Sequence, residues 1–130
     1  MKREWLRVVP VFLVMGVIFF LSSQPGDTLD LPDVPDIDKL LHALAYGTLA
    51  ATALFAVAPK FRLRRPLLAS VMIVLFCVAY GISDEFHQSF VPGRTPSCWD
   101  LAADSVGAIL VVSGWWLIRK QRSEDRAQIR

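Results

Sequence analysis

Apolar residues run through this chain in long unbroken stretches. Residues 8–26, 40–59 and 66–83 contain no Asp, Glu, Lys or Arg, and 101–118 contains Asp104 alone. The hydrocarbon core of a bilayer is crossed by about 20 mostly apolar helical residues, so each stretch matches one crossing. The pattern predicts an all-α polytopic membrane protein, a four-transmembrane-helix bundle with spans over residues 5–21, 40–58, 66–83 and 101–118. Between the spans fall a short basic turn at 59–65 and two polar loops at 22–39 and 84–100. Within the second span Ala43, Gly47 and Ala51 recur every four residues, a small-residue row that lets helices approach closely in lipid.

Composition agrees. Of 130 residues, 54% are hydrophobic and 20% charged, more apolar than the roughly 45–50% of soluble domains. The length accommodates one domain. Sorting the charges sharpens the topology. Of the 14 Lys and Arg, all but Lys39 and Arg94 lie at the N-terminus (Lys2, Arg3, Arg7), in the 59–65 turn (Lys60, Arg62, Arg64, Arg65) or after residue 118. Most acids lie on the opposite side: Asp27, Asp30, Asp33, Asp36, Asp38, Asp84, Glu85, Asp100 and Asp104. The Lys/Arg bias predicts cytoplasmic termini, a basic cytoplasmic tail over 119–130, and acidic loops facing outward from the cytoplasmic membrane. Trp5, Trp115 and Trp116 fall at the inner ends of their spans and Trp99 at an outer end, as in interfacial belts. Basic residues placed this way fit a membrane surface and exclude a nucleic-acid role. The N-terminal segment lacks a small-x-small cleavage site, because Leu21 stands two before Ser23, so an uncleaved first span is expected. Cys77 and Cys98 are expected to be too far apart to bridge.

Candidate chemistry collects near the outer boundary. Asp38, His42 and Tyr46 follow one another at i, i+4 and i+8 along one helix face. The third span runs into Asp84, Glu85, His87 and Gln88, followed by a Pro92–Gly93 turn and Arg94. Ser97 stands three before Asp100, the spacing of a capping box that opens the fourth span. Asp100 and Asp104 share a face, and Asp104 lies too far inside the span to cap it. Against the carboxylates Asp38, Asp84, Glu85, Asp100 and Asp104 stand only Lys39 and Arg94. Shared protons, a charged histidine or a bound cation can each balance such a cluster. Proton sharing is the preferred reading; His with Asp and Glu is also a divalent-metal set, but no metal and no cofactor is assigned. In the first outer loop Asp27, Asp30, Asp33 and Asp36 recur every third residue among prolines, lining one edge of a polyproline II segment, or simply solvating a connector. Each half of the chain also carries Gln, Pro-Gly and a helix-opening Asp: Gln24, Pro25–Gly26 and Asp38, then Gln88, Pro92–Gly93 and Asp100.

Ser22-Ser23-Gln24-Pro25, Asp38-Lys39-x-x-His42-x-x-x-Tyr46, Asp84-Glu85-x-His87-Gln88-x-Phe90-x-Pro92-Gly93-Arg94 and Asp100 together resemble the VanZ-like family, over roughly residues 12–118. The resemblance implies a small helical integral membrane protein of bacteria, whose namesake is associated with resistance to the glycopeptide teicoplanin at the cell envelope. One departure is Asp104, where the family often has Asn. Two functions are consistent with these residues. In the first, the protein binds an envelope lipid, glycan or glycopeptide antibiotic at the outer face of the cytoplasmic membrane. In the second, it is a hydrolase or transferase on a lipid-linked envelope substrate, with Glu85 or Asp84 as base, His42 or His87 as acid–base partner and Arg94 holding a phosphate. Ser22, Ser23 and Ser83 show no neighbouring base in sequence, and no phosphate loop or zinc motif is present. A transporter needs polar residues through the bilayer's depth, which spans 1 and 3 lack.

Overall fold

The computed structural model describes residues 4–28 and 35–129. Lys2, Arg3, Asp30, Asp33 and Arg130, which entered the charge pattern and the acidic edge above, lie outside the described residues.

A 3-10 turn, Glu4–Val8, leads into α1 (Val9–Ser22), and then come α2 (Ile37–Ala56), α3 (Pro59–Arg64), α4 (Pro66–Gln88) and α5 (Cys98–Gln128). Local chemistry explains the starts. Proline stands in the first turn of α1, α3 and α4, where its missing N–H costs nothing. Asp36 precedes α2 in the left-handed region at φ 59°, a conformation that Asp tolerates better than most residues. The four long helices, counting α1 with its leading turn, are each long and apolar enough to cross a membrane. Large apolar side chains point away from the bundle, with Phe12 67%, Leu67 69% and Leu110 65% exposed. Among lipid tails such a surface is ordinary, whereas in water it would aggregate.

Helix boundaries differ from the sequence expectations where polar residues continue a helix. Asp84–Gln88, expected to begin a loop, form the last turn of α4, and α2 starts at Ile37 rather than Leu40. The segment after residue 118 continues as helix to Gln128, because residues such as Arg119, Lys120, Gln121 and Glu124 favour helix without being apolar. The basic turn at 59–65 contains the short helix α3.

The most extensive interface joins α2 to α5. A side chain at Gly107 would collide with the Ala43 carbonyl oxygen, and one at Gly47 would lie 3.4 Å from the Gly107 carbonyl. Ala43 and Gly47 therefore act as the small-residue row implied. Ala51 does not: it is exposed, and Ala50 is buried in its place. Residues four apart advance 400° and drift about 40° around the helix, so the contact passes to a residue three positions on. The core around this seam comprises Leu49, Ala50, Ala53, Ile73, Cys77, Ala108 and Val112. Polar bonds stitch the remaining helices. Tyr80 Oη donates to the Met15 carbonyl at 2.7 Å, and Trp116 Nε1 donates to Ser70 Oγ at 2.9 Å.

The two ends of the bundle differ chemically. At one, Arg7 donates to the Phe55 carbonyl, Arg62 to Leu54 and Arg119 to Leu63. At the other, the end of α1 meets the α4–α5 connection, and the acids gather there. Cys77 is buried and Cys98 exposed, and both are free thiols, as expected.

Gly107→Ala tests the seam. Its Cβ must displace the α2 backbone, so thermal unfolding in detergent is expected to show a loss of about 1–3 kcal/mol. Gly114→Ala, which meets no atom within 4 Å, is expected to lose nothing and to gain up to about 1 kcal/mol of helix propensity. Equal effects of the two substitutions would refute the tight contact.

Candidate functional site

The close approach of α2 and α5 brings His42 against two acids of α5. His42 Nδ1 lies 2.9 Å from Asp104 Oδ1, and Nε2 lies 3.8 Å from Asp100 Oδ2. Asp104 is 1% exposed, and its other oxygen has no hydrogen-bond partner. Gly81 of α4 makes room for it: a side chain there would approach Asp104 Oδ2 at 3.0 Å and Tyr46 Cε1 at 3.5 Å. Tyr46, also 1% exposed, packs its ring toward Tyr80, and its hydroxyl has no partner. Neither Gly81 nor Gly107 stood out among the sequence candidates, although a glycine inside an apolar helical run marks a place where something approaches the backbone.

Asp100 turns toward α2. Lys39 Nζ lies 3.1 Å from its Oδ1, an ion-pair distance without the alignment of a hydrogen bond, and Lys39 also pairs with its neighbour Asp38. The capping box expected from Ser97 and Asp100 is only half formed. Ser97 Oγ accepts from the Trp99 N–H at 3.2 Å, but the Ser97 N–H donates to Glu85 Oε2 at 2.7 Å. A carboxylate from α4 thus takes the reciprocal role and leaves Asp100 free to face His42. Glu85 Oε1 is buried and has no partner. Asp84, one residue earlier, accepts from Gln88 Nε2 at 3.2 Å, and both side chains are buried.

Two sequence candidates make their bonds outside this cluster. His87 stacks on Phe19 with ring centroids 4.6 Å apart, and its Nε2 is 3.0 Å from Ser23 Oγ. Its position in the last turn of α4 turns it to α1, away from His42. Ser23 therefore does have an imidazole neighbour, contrary to expectation. The hydroxyl donates to the Phe19 carbonyl at 2.7 Å, which leaves its oxygen accepting from His87, so the serine is not activated as a nucleophile. Arg94 donates Nε to the Gln24 carbonyl and a terminal nitrogen to the Leu21 carbonyl, each at 3.1 Å. It fastens the α4–α5 connection to the end of α1. The two Pro-Gly turns meet beside it: Gly26 N–H donates to the Pro92 carbonyl at 3.1 Å, and a side chain at Gly26 would overlap Gly93. Gly93 itself has φ +72°, which glycine adopts without strain.

A cavity of about 480 Å³ opens between α1, α2 and α4. Ile18, Leu21, Leu41, Leu44 and Ala45 supply apolar wall, while Asp38, His42, Asp84, Gln88 and Arg94 lie along it as polar groups. The cavity joins the polar cluster to the lipid-facing flank of α2, where Leu41 and Leu44 are exposed.

The fold and cluster define a polytopic helical membrane protein with a buried acid–histidine site at one end. The sequence model of the VanZ/LLP1 family matches residues 7–119, and the chain belongs to that family. It is also similar to a Schizosaccharomyces pombe protein described as "Uncharacterized protein C11E3.10", 31% identical over 119 residues, which cover 91% of this chain and 68% of the relative. No solved structure matches it.

Removing one member of the His42–Asp104 pair leaves the other polar group buried. His42→Ala is expected to cost about 3–5 kcal/mol in detergent unfolding, and adding Asp104→Leu is expected to recover most of it. Additive losses in the double variant would show that the two side chains do not interact.

Proposed function

We propose that the protein binds a membrane amphiphile, a lipid or lipid-linked envelope molecule, with its apolar part in the cavity and its polar head against the acid–histidine cluster. The observation that carries this reading is the cavity itself, apolar along the α1–α2 flank and polar at Asp38, Asp84, Gln88 and Arg94. Binding sites for small ligands combine such walls with a few convergent polar groups. The similar protein in fission yeast favours a ligand common to membranes over a bacterial glycan or glycopeptide antibiotic. We place the site at the outer face of a cytoplasmic membrane with both termini inside, on the strength of the basic residues at the opposite end. The enzyme reading has less support. Ser23 and His87 meet, but the serine proton is committed to Phe19 and among the described residues no carboxylate hydrogen-bonds to His87.

Native mass spectrometry of the purified protein with added phospholipid tests the ligand. Ala45→Phe puts a ring into the cavity and is expected to weaken lipid binding about tenfold, the equivalent of roughly 1.4 kcal/mol. Unchanged lipid retention by a folded Ala45→Phe variant would exclude the cavity as the site. Topology is checked with an impermeant maleimide on intact cells. The exposed Cys98 is expected to react, and a cysteine introduced at Ser123 only after lysis; the reverse result would invert the orientation.

A further inference from the structure

We infer that His42, Glu85 and Asp100 form a divalent-cation site, with Asp104 as the residue that positions the histidine. One ligand atom from each of the three side chains lies within 4.8 Å of the others. Three different helices supply them, α2, α4 and α5, so the site depends on the assembled bundle. Tetrahedral ligands held at ~2.1 Å from a cation lie ~3.4 Å from one another. Closing the longest edge therefore takes at most about 1.4 Å, within reach of side-chain rotation.

Four features separate this group from acids that merely share a surface. First, the imidazole is oriented. Its Nδ1 is engaged by Asp104 at 2.9 Å, and its Nε2 faces Asp100 Oδ2 at 3.8 Å, too far for a hydrogen bond. A carboxylate behind one ring nitrogen, leaving the other to face open acids, is the usual support of a metal-ligating histidine. Second, polar atoms are buried without a hydrogen bond. Glu85 Oε1 and Asp100 Oδ1 have no hydrogen-bond partner, and Asp100 is 8% exposed. Third, Glu85 is fixed by its other oxygen, which accepts the Ser97 N–H at 2.7 Å. Fourth, the fixed cations leave the ligand face open: Lys39 meets Asp100 through Oδ1, while Oδ2 is the oxygen that faces His42. Lys39 lies between Asp38 and Asp100, and Arg94 donates to backbone carbonyls.

One imidazole nitrogen with two carboxylates suits Zn²⁺ or Mn²⁺ better than a softer ion that seeks thiolates. Three protein ligands also leave a coordination position open. This inference is independent of the lipid reading, because it concerns metal bound with no lipid added.

The test is titration calorimetry of the full chain in detergent after chelator treatment, with Zn²⁺ and Mn²⁺ in turn. The expected result is one equivalent bound. Glu85→Gln, which still offers an acceptor to the Ser97 N–H, and Asp100→Asn are each expected to weaken binding at least tenfold. Asp104→Asn is expected to cost about 10–100-fold while leaving stoichiometry at one, as outer-shell substitutions do. Asp27→Asn, in the exposed first loop, is expected to change nothing. Nitrogen-15 NMR of histidine is expected to show the His42 Nε2 resonance moving on metal addition. Absence of stoichiometric binding overturns the site, as does undiminished binding by Glu85→Gln and Asp100→Asn, which a shared-proton cluster would give. Thermal unfolding of each variant separates lost binding from lost fold. Failure here leaves lipid retention and the Ala45→Phe comparison standing.

Discussion

The backbone contact between Ala43 of α2 and Gly107 of α5 is the constraint from which the rest of the polar site follows. A bilayer has no water to receive an unsatisfied polar group, so a carboxylate placed within it must find its partners on neighbouring helices. Asp104 finds His42 one helix away, at 2.9 Å. That distance is available because no side chain separates the two backbones one turn further along, where Gly107 touches Ala43. Gly81 of α4 supplies the matching gap on the other side of Asp104. Three small positions on three helices thus create a space that fits a charged or hydrogen-bonding group and little else. The energetic reason to keep Asp104 there is not stability alone, since burying such a pair commonly gains nothing over a well-packed apolar one. A buried carboxylate that orients an imidazole toward two further acids fits the inferred cation site.

Much of this was legible in the sequence, and what was not has physical causes. The four crossings followed from three runs without charge and a fourth broken by Asp104 alone, each near the roughly 20 residues that hydrocarbon thickness requires. Helix ends were less visible. Asp84 to Gln88 continue α4 because a helix ends where its backbone bonds end, not where apolar residues stop. The row of Asp38, His42 and Tyr46 does line one cavity, but its members differ in depth: Tyr46 is buried, His42 meets Asp104, and Asp38, more exposed, pairs with its neighbour Lys39. Ser97 and Asp100 had the spacing of a capping box, but spacing along one helix cannot reveal that Glu85 from another reaches the same N–H. His87 was grouped with the cluster on proximity in sequence alone. Two residues after Glu85 is about 200° around the helix, which turns it to Phe19. The faint repeat of Pro25–Gly26 and Pro92–Gly93 had a meaning that sequence could not supply: the two turns lie against each other.

These contacts also explain why the cavity lies where it does. Helix α1 buries few side chains, Val11, Ile18 and Ser22 among them, and exposes Phe12, Leu13, Val17 and Phe20. Its polar attachments are spaced along its length: Arg7 to Phe55 at one end, Tyr80 to Met15 in the middle, and Arg94 to Leu21 and Gln24 at the other. Between the last two, Ile18 and Leu21 face the cavity. In lipid no hydrophobic force closes such a gap, because acyl chains solvate apolar walls as well as leucine does. On the proposed reading, a lipid enters the gap without first displacing protein contacts, its polar end toward Asp38, His42, Asp84 and Gln88. Arg94 serves this arrangement by its attachments: in pinning the loop to α1, it fixes one wall of the cavity that His42 also lines.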